Sequence, residues 1–302
     1  TGDWSSDVCS SDLTASNTMT LDNTGYTDTA GNAGVGLAVS NNYAIDTVRP
    51  TATIVVADTA LSIGETSPVT ITFSEAVSGF TAADLTVVNG VLSGLTTSDN
   101  ITWTATFTPN SGVSNTINVI TLSSSSVVDA AGNTNASATY SNTYVVDTQR
   151  PNATVVFANT NLGIGQTSLV TITFSEVVTG FTNADLTVSN GTLSAVTSSD
   201  GGVTWTATFT PTAVIVSASN HITLDNTGVQ DTAGNAGSGT TTSNNVAIDG
   251  VRPTATVVVA NSSLAIGQTS LVTITFSEAV VGFSNAEDRK STRLNSSHPL
   301  DL

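Results

Sequence analysis

The sequence predicts an all-β chain, a tandem series of antiparallel β-sandwiches without disulfides, and three observations carry that prediction. Whole phrases return about every 100 residues. Within them apolar and polar residues alternate one by one, which is the period of a strand with one buried and one wet face. The composition is 39% apolar and only 10% charged, with Thr, Ser, Asn and Gly as the polar remainder, a mixture that favours strands over helices. One Cys in 302 residues excludes a disulfide framework, so stability must come from the core or from metal.

The repeat is legible by eye. "RPTATIVVA", "RPNATVVFA" and "RPTATVVVA" begin at Arg49, Arg150 and Arg252; "VTITFSE" begins at Val69, Val170 and Val272; "WTATFTP" begins at Trp103 and Trp205. A turn phrase, "YTDTAGNAG", "VVDAAGNTN" and "VQDTAGNAG", begins at Tyr26, Val127 and Val229. Residues 14–48 therefore read as the last third of one repeat, 49–149 and 150–251 as complete repeats, and 252–287 as the first third of a fourth. The chain reads as a fragment of a longer array whose start is missing.

The ends break the pattern. "GFTNADLTV" at Gly180 becomes "GFSNAEDRKSTRLNSSH" at Gly282, and residues 1–13, "TGDWSSDVCSSDL", hold the only Cys. One DNA string that encodes "DWSSDVCSSDL" has a reverse complement that reads, in another frame, "DRKSTRLNSS", the segment from Asp288 to Ser297. That string resembles a sequencing-library adapter. Residues 1–13 and 288–302 are thus expected to be translated adapter and its flank, which removes Cys9, Arg289, Lys290, Arg293 and His298 as functional candidates. Residues 14–287 then carry eighteen acids, three Arg, one His and neither Lys nor Cys.

Taken in order, one period predicts strands over 51–57, 67–74, 85–88, 91–96, 101–108, 116–122 and 137–146. The clearest are "VTITFSE", where Val69, Ile71 and Phe73 alternate with Thr70, Thr72 and Ser74, and "WTATFTP", where Trp103, Ala105 and Phe107 share a face. Asn89-Gly90, Ser98-Asp99-Asn100 and Ala131-Gly132-Asn133 punctuate the runs. Seven short strands in about 100 residues predict an immunoglobulin-like seven-stranded sandwich, with Trp103 and Phe73 filling the place of the usual disulfide.

In such a sandwich the loops after the second, fourth and sixth strands share the pole that faces the preceding repeat. Each complete repeat sends its acids there: Glu75, Asp84, Asp99, Asp129 and Asn133 with Asp46 of the linker, then Glu176, Asp185, Asp200, Asp231 and Asn235 with Asp147. Asp249 and Glu278 continue the series, with Glu287 where an Asp is expected. Clustered carboxylates repel by about 1 kcal/mol per pair in water and by several times that near a protein surface. A hard divalent cation, Ca²⁺, would relieve this with six to eight oxygen ligands. Soft metals lack ligands, since only His221 remains. The alternative is a set of tight turns in which Asp129 accepts backbone N–H bonds and Asp46 pairs with Arg49. No EF-hand or glycine-rich calcium motif decides between them.

Together "DTxRP", "VTITFSEAVxGF", "WTATFTP" and "DxAGN" resemble the bacterial Ig-like repeats that build stalks of large secreted adhesins and biofilm-associated surface proteins, over essentially all of residues 14–287. The resemblance implies a non-catalytic spacer outside the cell, with neighbouring repeats as partners and host or surface glycans or proteins met by a tip elsewhere. Such modules also decorate secreted polysaccharide-degrading enzymes, and glycan binding by the modules themselves would need exposed aromatics, whereas Trp103 and Trp205 read as core. A net charge of −17 gives no basis for binding nucleic acid or an anionic membrane. No apolar run reaches membrane-spanning length. Motifs for a nucleophile, a zinc protease or a phosphate loop are absent, and the carboxylate pairs recur beside linkers, where a sugar cleft has no room, so no enzyme activity is expected.

Overall fold

The structure is a computed structural model and describes residues 14–284. The readings of residues 1–13, Glu287 and 288–302 lie outside the described residues. The chain is all-β, with short 3-10 turns such as Ala82–Asp84 as its helical elements among the described residues.

In the first complete repeat one sheet is ordered Ala52–Val56, Ser67–Phe73, Thr102–Pro109, Gly90–Thr97, antiparallel throughout. The facing sheet joins Leu85–Val87, Ile120–Leu122 and Thr139–Tyr140, and continues through Ser114–Asn118, Tyr144–Asp147 and Ala60–Leu61. Each of the seven predicted strands is found. The second complete repeat repeats the plan, with Ala153–Phe157, Ser168–Phe174, Thr204–Pro211 and Gly191–Leu193 in one sheet and Asn161–Leu162, Val246–Asp249 and Val216–Asn220 in part of the other.

Alternation explains what is buried. Along Ser67–Phe73 the side chains of Val69, Ile71 and Phe73 are buried while Thr70 and Thr72 are not. They pack with Phe107 of the same sheet and with Ile120, Leu122 and Val146 of the opposite sheet, each contributing about 1.5–3 kcal/mol by leaving water. Trp103 is half-buried at the core's edge, in a chain of edge-to-face rings from Phe73 through Phe80, with centroids 5.2 and 5.1 Å apart. Trp205 stands on Phe181 in the same way.

Two features were not anticipated. Ala60–Leu61 leaves the first sheet and pairs in parallel with Val145 and Val146, so the opening strand serves both sheets. The last strand is broken, because Ser141 turns inward and its hydroxyl accepts from the Ile120 amide at 2.9 Å. The partial repeats at either end form separate small sheets, Thr14–Asn17 with Tyr43–Ile45, Thr20–Asp22 with Leu37–Val39, and Ala255–Val259 with Val272–Phe276. With no facing sheet among the described residues to cover them, side chains such as Leu37 and Val257 stay exposed.

Candidate functional site at the repeat junctions

Backbone hydrogen bonds bring the three loops together as the strand count predicts. In the first complete repeat the Val77 amide donates to the Asn100 carbonyl at 3.0 Å, and the Ser78 amide to the Val128 carbonyl at 2.7 Å. The linker joins them where Asn133 Nδ2 donates to the Asp46 carbonyl at 3.1 Å.

The Asp-Xaa-Ala-Gly-Asn turn is built around its own carboxylate. Asp129 Oδ1 accepts from the Ala131 and Asn133 amides, both at 2.8 Å, and Oδ2 accepts from Asn133 Nδ2 at 2.8 Å. Gly132 sits at φ 95°, a left-handed conformation that a side chain would strain. Asp231 makes the same three bonds to Ala233 and Asn235, and Asp28 makes them to Ala30 and Asn32. Burial alone would raise the Asp129 carboxyl, but the hydrogen bonds from Asn133, Ala131 and Gly132 outweigh it and hold the group below the usual carboxylate range.

Around each buried turn carboxylate stand two more acids. Oxygens of Asp46, Glu75 and Asp129 lie within 4.8 Å of one another, and so do oxygens of Asp147, Glu176 and Asp231. Asp129 and Asp231 are buried and the other four are half-buried. Burial, then the charges of Asp129 and Asp46, pushes the Glu75 carboxyl up. Burial, then Asp231 and Asp147, raises Glu176, with a smaller opposing hydrogen bond from Ser175. The arginines nearest in sequence turn to backbone carbonyls: Arg49 donates to the Thr134 carbonyl at 3.0 Å, and Arg150 to the Ala236 carbonyl.

The remaining predicted site residues are occupied elsewhere. Asp84 Oδ2 accepts from the Thr81 amide at 2.7 Å and Asp185 Oδ2 from the Thr182 amide at 2.8 Å, each closing its 3-10 turn. Asp99 Oδ1 accepts from the Thr102 and Ile101 amides at 2.7 and 2.9 Å, which lowers its pKa. Asp200 accepts from Thr204 and Val203 in the same loop of the second repeat and is lowered to about 2 by Thr204 and Ser198. So the structure gathers three of the carboxylates expected at each pole, and Asn133 and Asn235 brace the central one. None of the four loop acids just described belongs to either gathered group.

One contact was not anticipated at all. The Ile63 amide, on the turn between Ala60–Leu61 and Ser67–Phe73, donates across the junction to Asn235 Oδ1 at 2.8 Å. Its signal in the sequence is an apolar Ile on a turn that recurs as "LSIGETS", "LGIGQTS" and "LAIGQTS" from Leu61, Leu162 and Leu264.

Comparison with known families matches a bacterial Ig-like domain profile to residues 46–146, 147–248 and 249–289, most of the chain. The chain belongs to the bacterial Ig-like domain family. Each matched Ig-like segment starts on a junction carboxylate, Asp46, Asp147 or Asp249. A search of curated protein sequences finds no match. Among solved structures these Ig-like repeats are similar to the Escherichia coli adhesin FdeC, at 18% identity over 76% of this chain and 73% of that one, with a TM-score of 0.28. They are also similar to the Yersinia pseudotuberculosis adhesin InvE, at 17% identity over 66% of this chain and 58% of that one, with a TM-score of 0.26.

Proposed function

We propose that this Ig-like array is a non-catalytic structural stalk segment of a bacterial cell-surface adhesin, working outside the cell, with its junctions stiffened by Ca²⁺. The observation that carries the reading is the recurrence of one carboxylate triad at both complete junctions, each joining a linker acid of one repeat to two loop acids of the next. Asp46, Glu75 and Asp129 would hold one ion, and Asp147, Glu176 and Asp231 another. The donor set fits a hard cation: it is all oxygen, and three carboxylates can offer up to six ligand atoms. The ion would supply positive charge where the two neighbouring arginines turn to backbone carbonyls.

The chain's own residues do the rest. Asn133 and Asn235 hold the central carboxylate in one orientation and tie it to the linker carbonyl of Asp46 or Asp147. A charge-neutralised junction would turn jointed beads into a rod, which suits a spacer that keeps a binding tip away from its surface.

The test is thermal melting and small-angle scattering of the full chain in chelator, in about 10 mM CaCl₂ and in MgCl₂. Extracellular calcium modules bind at roughly 10⁻⁴ to 10⁻³ M, so this concentration should stabilise a folded repeat by about 1.5–3 kcal/mol and increase the maximum dimension. Asp129→Ala should weaken the response at the first junction. Asp58→Ala should leave it intact, because that carboxylate caps the Ala60 amide away from the triads. If calcium changes neither melting nor dimension, the stiffened-junction reading fails.

A further inference from the structure

Asn235 uses every polar atom of its amide. Nδ2 donates to Asp231 Oδ2 at 2.8 Å within its own turn and to the Asp147 carbonyl at 2.9 Å at the end of the preceding repeat, while Oδ1 takes the Ile63 amide of that same repeat. The side chain is buried at 3% exposure. A buried amide with all its bonds made, two of them to another folded unit, fixes position as well as adding stability.

The same parts are present at the junctions on either side. Asn133 makes the matching donations, to Asp129 Oδ2 and the Asp46 carbonyl, and its Oδ1 meets no donor among the described residues. At the far pole of the second complete repeat, Ile164 occupies the place of Ile63, and its amide meets no acceptor among the described residues. Ile164 is 49% exposed against 37% for Ile63, which faces a complete repeat. Beside it residues 163–167, 210–214 and 250–252 line a largely apolar cleft of about 490 Å³. Asp249 at the end of this repeat and Glu278 of the partial repeat that follows line one cleft with Ile164, but the described residues of that partial repeat end before any Asp-Xaa-Ala-Gly-Asn turn.

We propose that this pole is a docking surface for the Asp-Xaa-Ala-Gly-Asn turn of a complete following repeat, whose Asn Oδ1 accepts the Ile164 amide proton as Asn235 accepts that of Ile63. The argument is continuity with the interface already formed between the two complete repeats: same turn, same glycine-bearing Ile loop, same pole. Gly64 and Gly165 both lie at positive φ, 85° and 75°, so the two loops share one backbone shape. The inference rests on reading the chain as a segment of a continuous array and is independent of calcium. The Asn turn is thereby an inter-repeat connector, and the acids beside it set a separate, ion-dependent contribution.

The test is amide hydrogen exchange, in chelator throughout so that an ion contributes nothing. The full chain is compared with one continued after Ser284 by a second copy of residues 183–251, which completes the fourth repeat. The Ile164 amide is expected to slow by at least about tenfold, the scale of one newly made hydrogen bond. Replacing the appended copy of Asn235 by Ala should return it to the fast rate while the appended core strands stay protected. Unchanged Ile164 exchange beside a protected appended core overturns the proposal. Should the appended repeat show no core protection, the existing junction decides. There Asn235→Ala must speed exchange at Ile63 and not at Ile164, with Val170 and Ile172 still protected; an effect at both amides, or at neither, also overturns it.

Discussion

At the first junction Glu75 is the acid whose charge the protein does least to offset. Asp129 has three donors and Asp46 offers Oδ1 to the Val48 amide, whereas no donor among the described residues reaches the Glu75 carboxylate. Its oxygens lie within 4.8 Å of both neighbours'. At that distance each like-charge pair costs about 0.9 kcal/mol in the dielectric of water and about 3.5 kcal/mol at an effective dielectric of 20. The site is half-open to solvent, so the lower figure governs, and two neighbours give about 2 kcal/mol.

Glu75→Gln removes that repulsion at nearly constant shape. It is expected to stabilise the first complete repeat by about 2 kcal/mol in chelator at neutral pH, a rise in melting temperature of roughly 10 °C. On the proposed calcium site the same change would delete a ligand, so in millimolar calcium the gain should shrink or reverse. Fluorescence of Trp103 in a Trp4→Phe, Trp205→Phe background reports that repeat separately from the second. A neutral or destabilising effect in chelator would refute the electrostatic account of the junction, whatever calcium does.

The junction acids also set a pH dependence. Glu75 and Glu176 are raised in the folded chain, so the stability they contribute is fully present below the ordinary glutamate pKa and is lost as pH rises through their folded values. Asp129 is lowered, so its contribution is present above the ordinary aspartate pKa and is lost on further acidification. Melting in chelator should therefore peak on the mildly acidic side of neutrality, and Glu75→Gln with Glu176→Gln should flatten the alkaline limb. Gly90→Ala places a Cβ 2.3 Å from the buried Phe107 ring and 2.7 Å from the Thr108 carbonyl; it should cost at least about 1–3 kcal/mol in urea unfolding. Tyr144 is buried, its hydroxyl has no hydrogen-bond partner among the described residues, and that burial pushes its pKa up to about 12. Tyr144→Phe should raise stability by about 1 kcal/mol by removing a polar group that gives up water without a protein partner.

The fold was legible because alternation and burial obey one rule. Val69, Ile71, Phe73, Ala105 and Phe107 could be assigned to the core from period two alone, and all five are buried. Ala60–Leu61 was not legible, since two residues carry no period and their parallel partners are more than eighty positions away. Trp103 marks an intermediate case: its alternation points inward, yet it lies at the sandwich edge, and only its ring contact with Phe80 shows how far in it reaches.

The site was half legible, and the reason is chemical. Counting strands sends Asp84, Asp99 and Asp129 to one pole alike, but a carboxylate's direction is set by the nearest amides rather than by its pole. Thr81-Ala82-Ala83-Asp84 has the spacing of a capping box, and that local pattern holds Asp84 on its own turn. Asp99 folds back on Thr97, Ile101 and Thr102 by the same short-range logic. Asp129 is also held by its own turn, so the two readings of "DAAGN", turn former and junction acid, do not compete. Three donors consume most of its lone pairs and fix its direction, and that fixed direction places it within 4.8 Å of Glu75 and Asp46. A flexible carboxylate would swing away from two like charges; this one is held against them by Asn133, and the same Asn ties the turn to the linker. The repulsion is therefore a consequence of the turn's geometry, repeated wherever the turn meets a linker acid and the glutamate that follows "VTITFS".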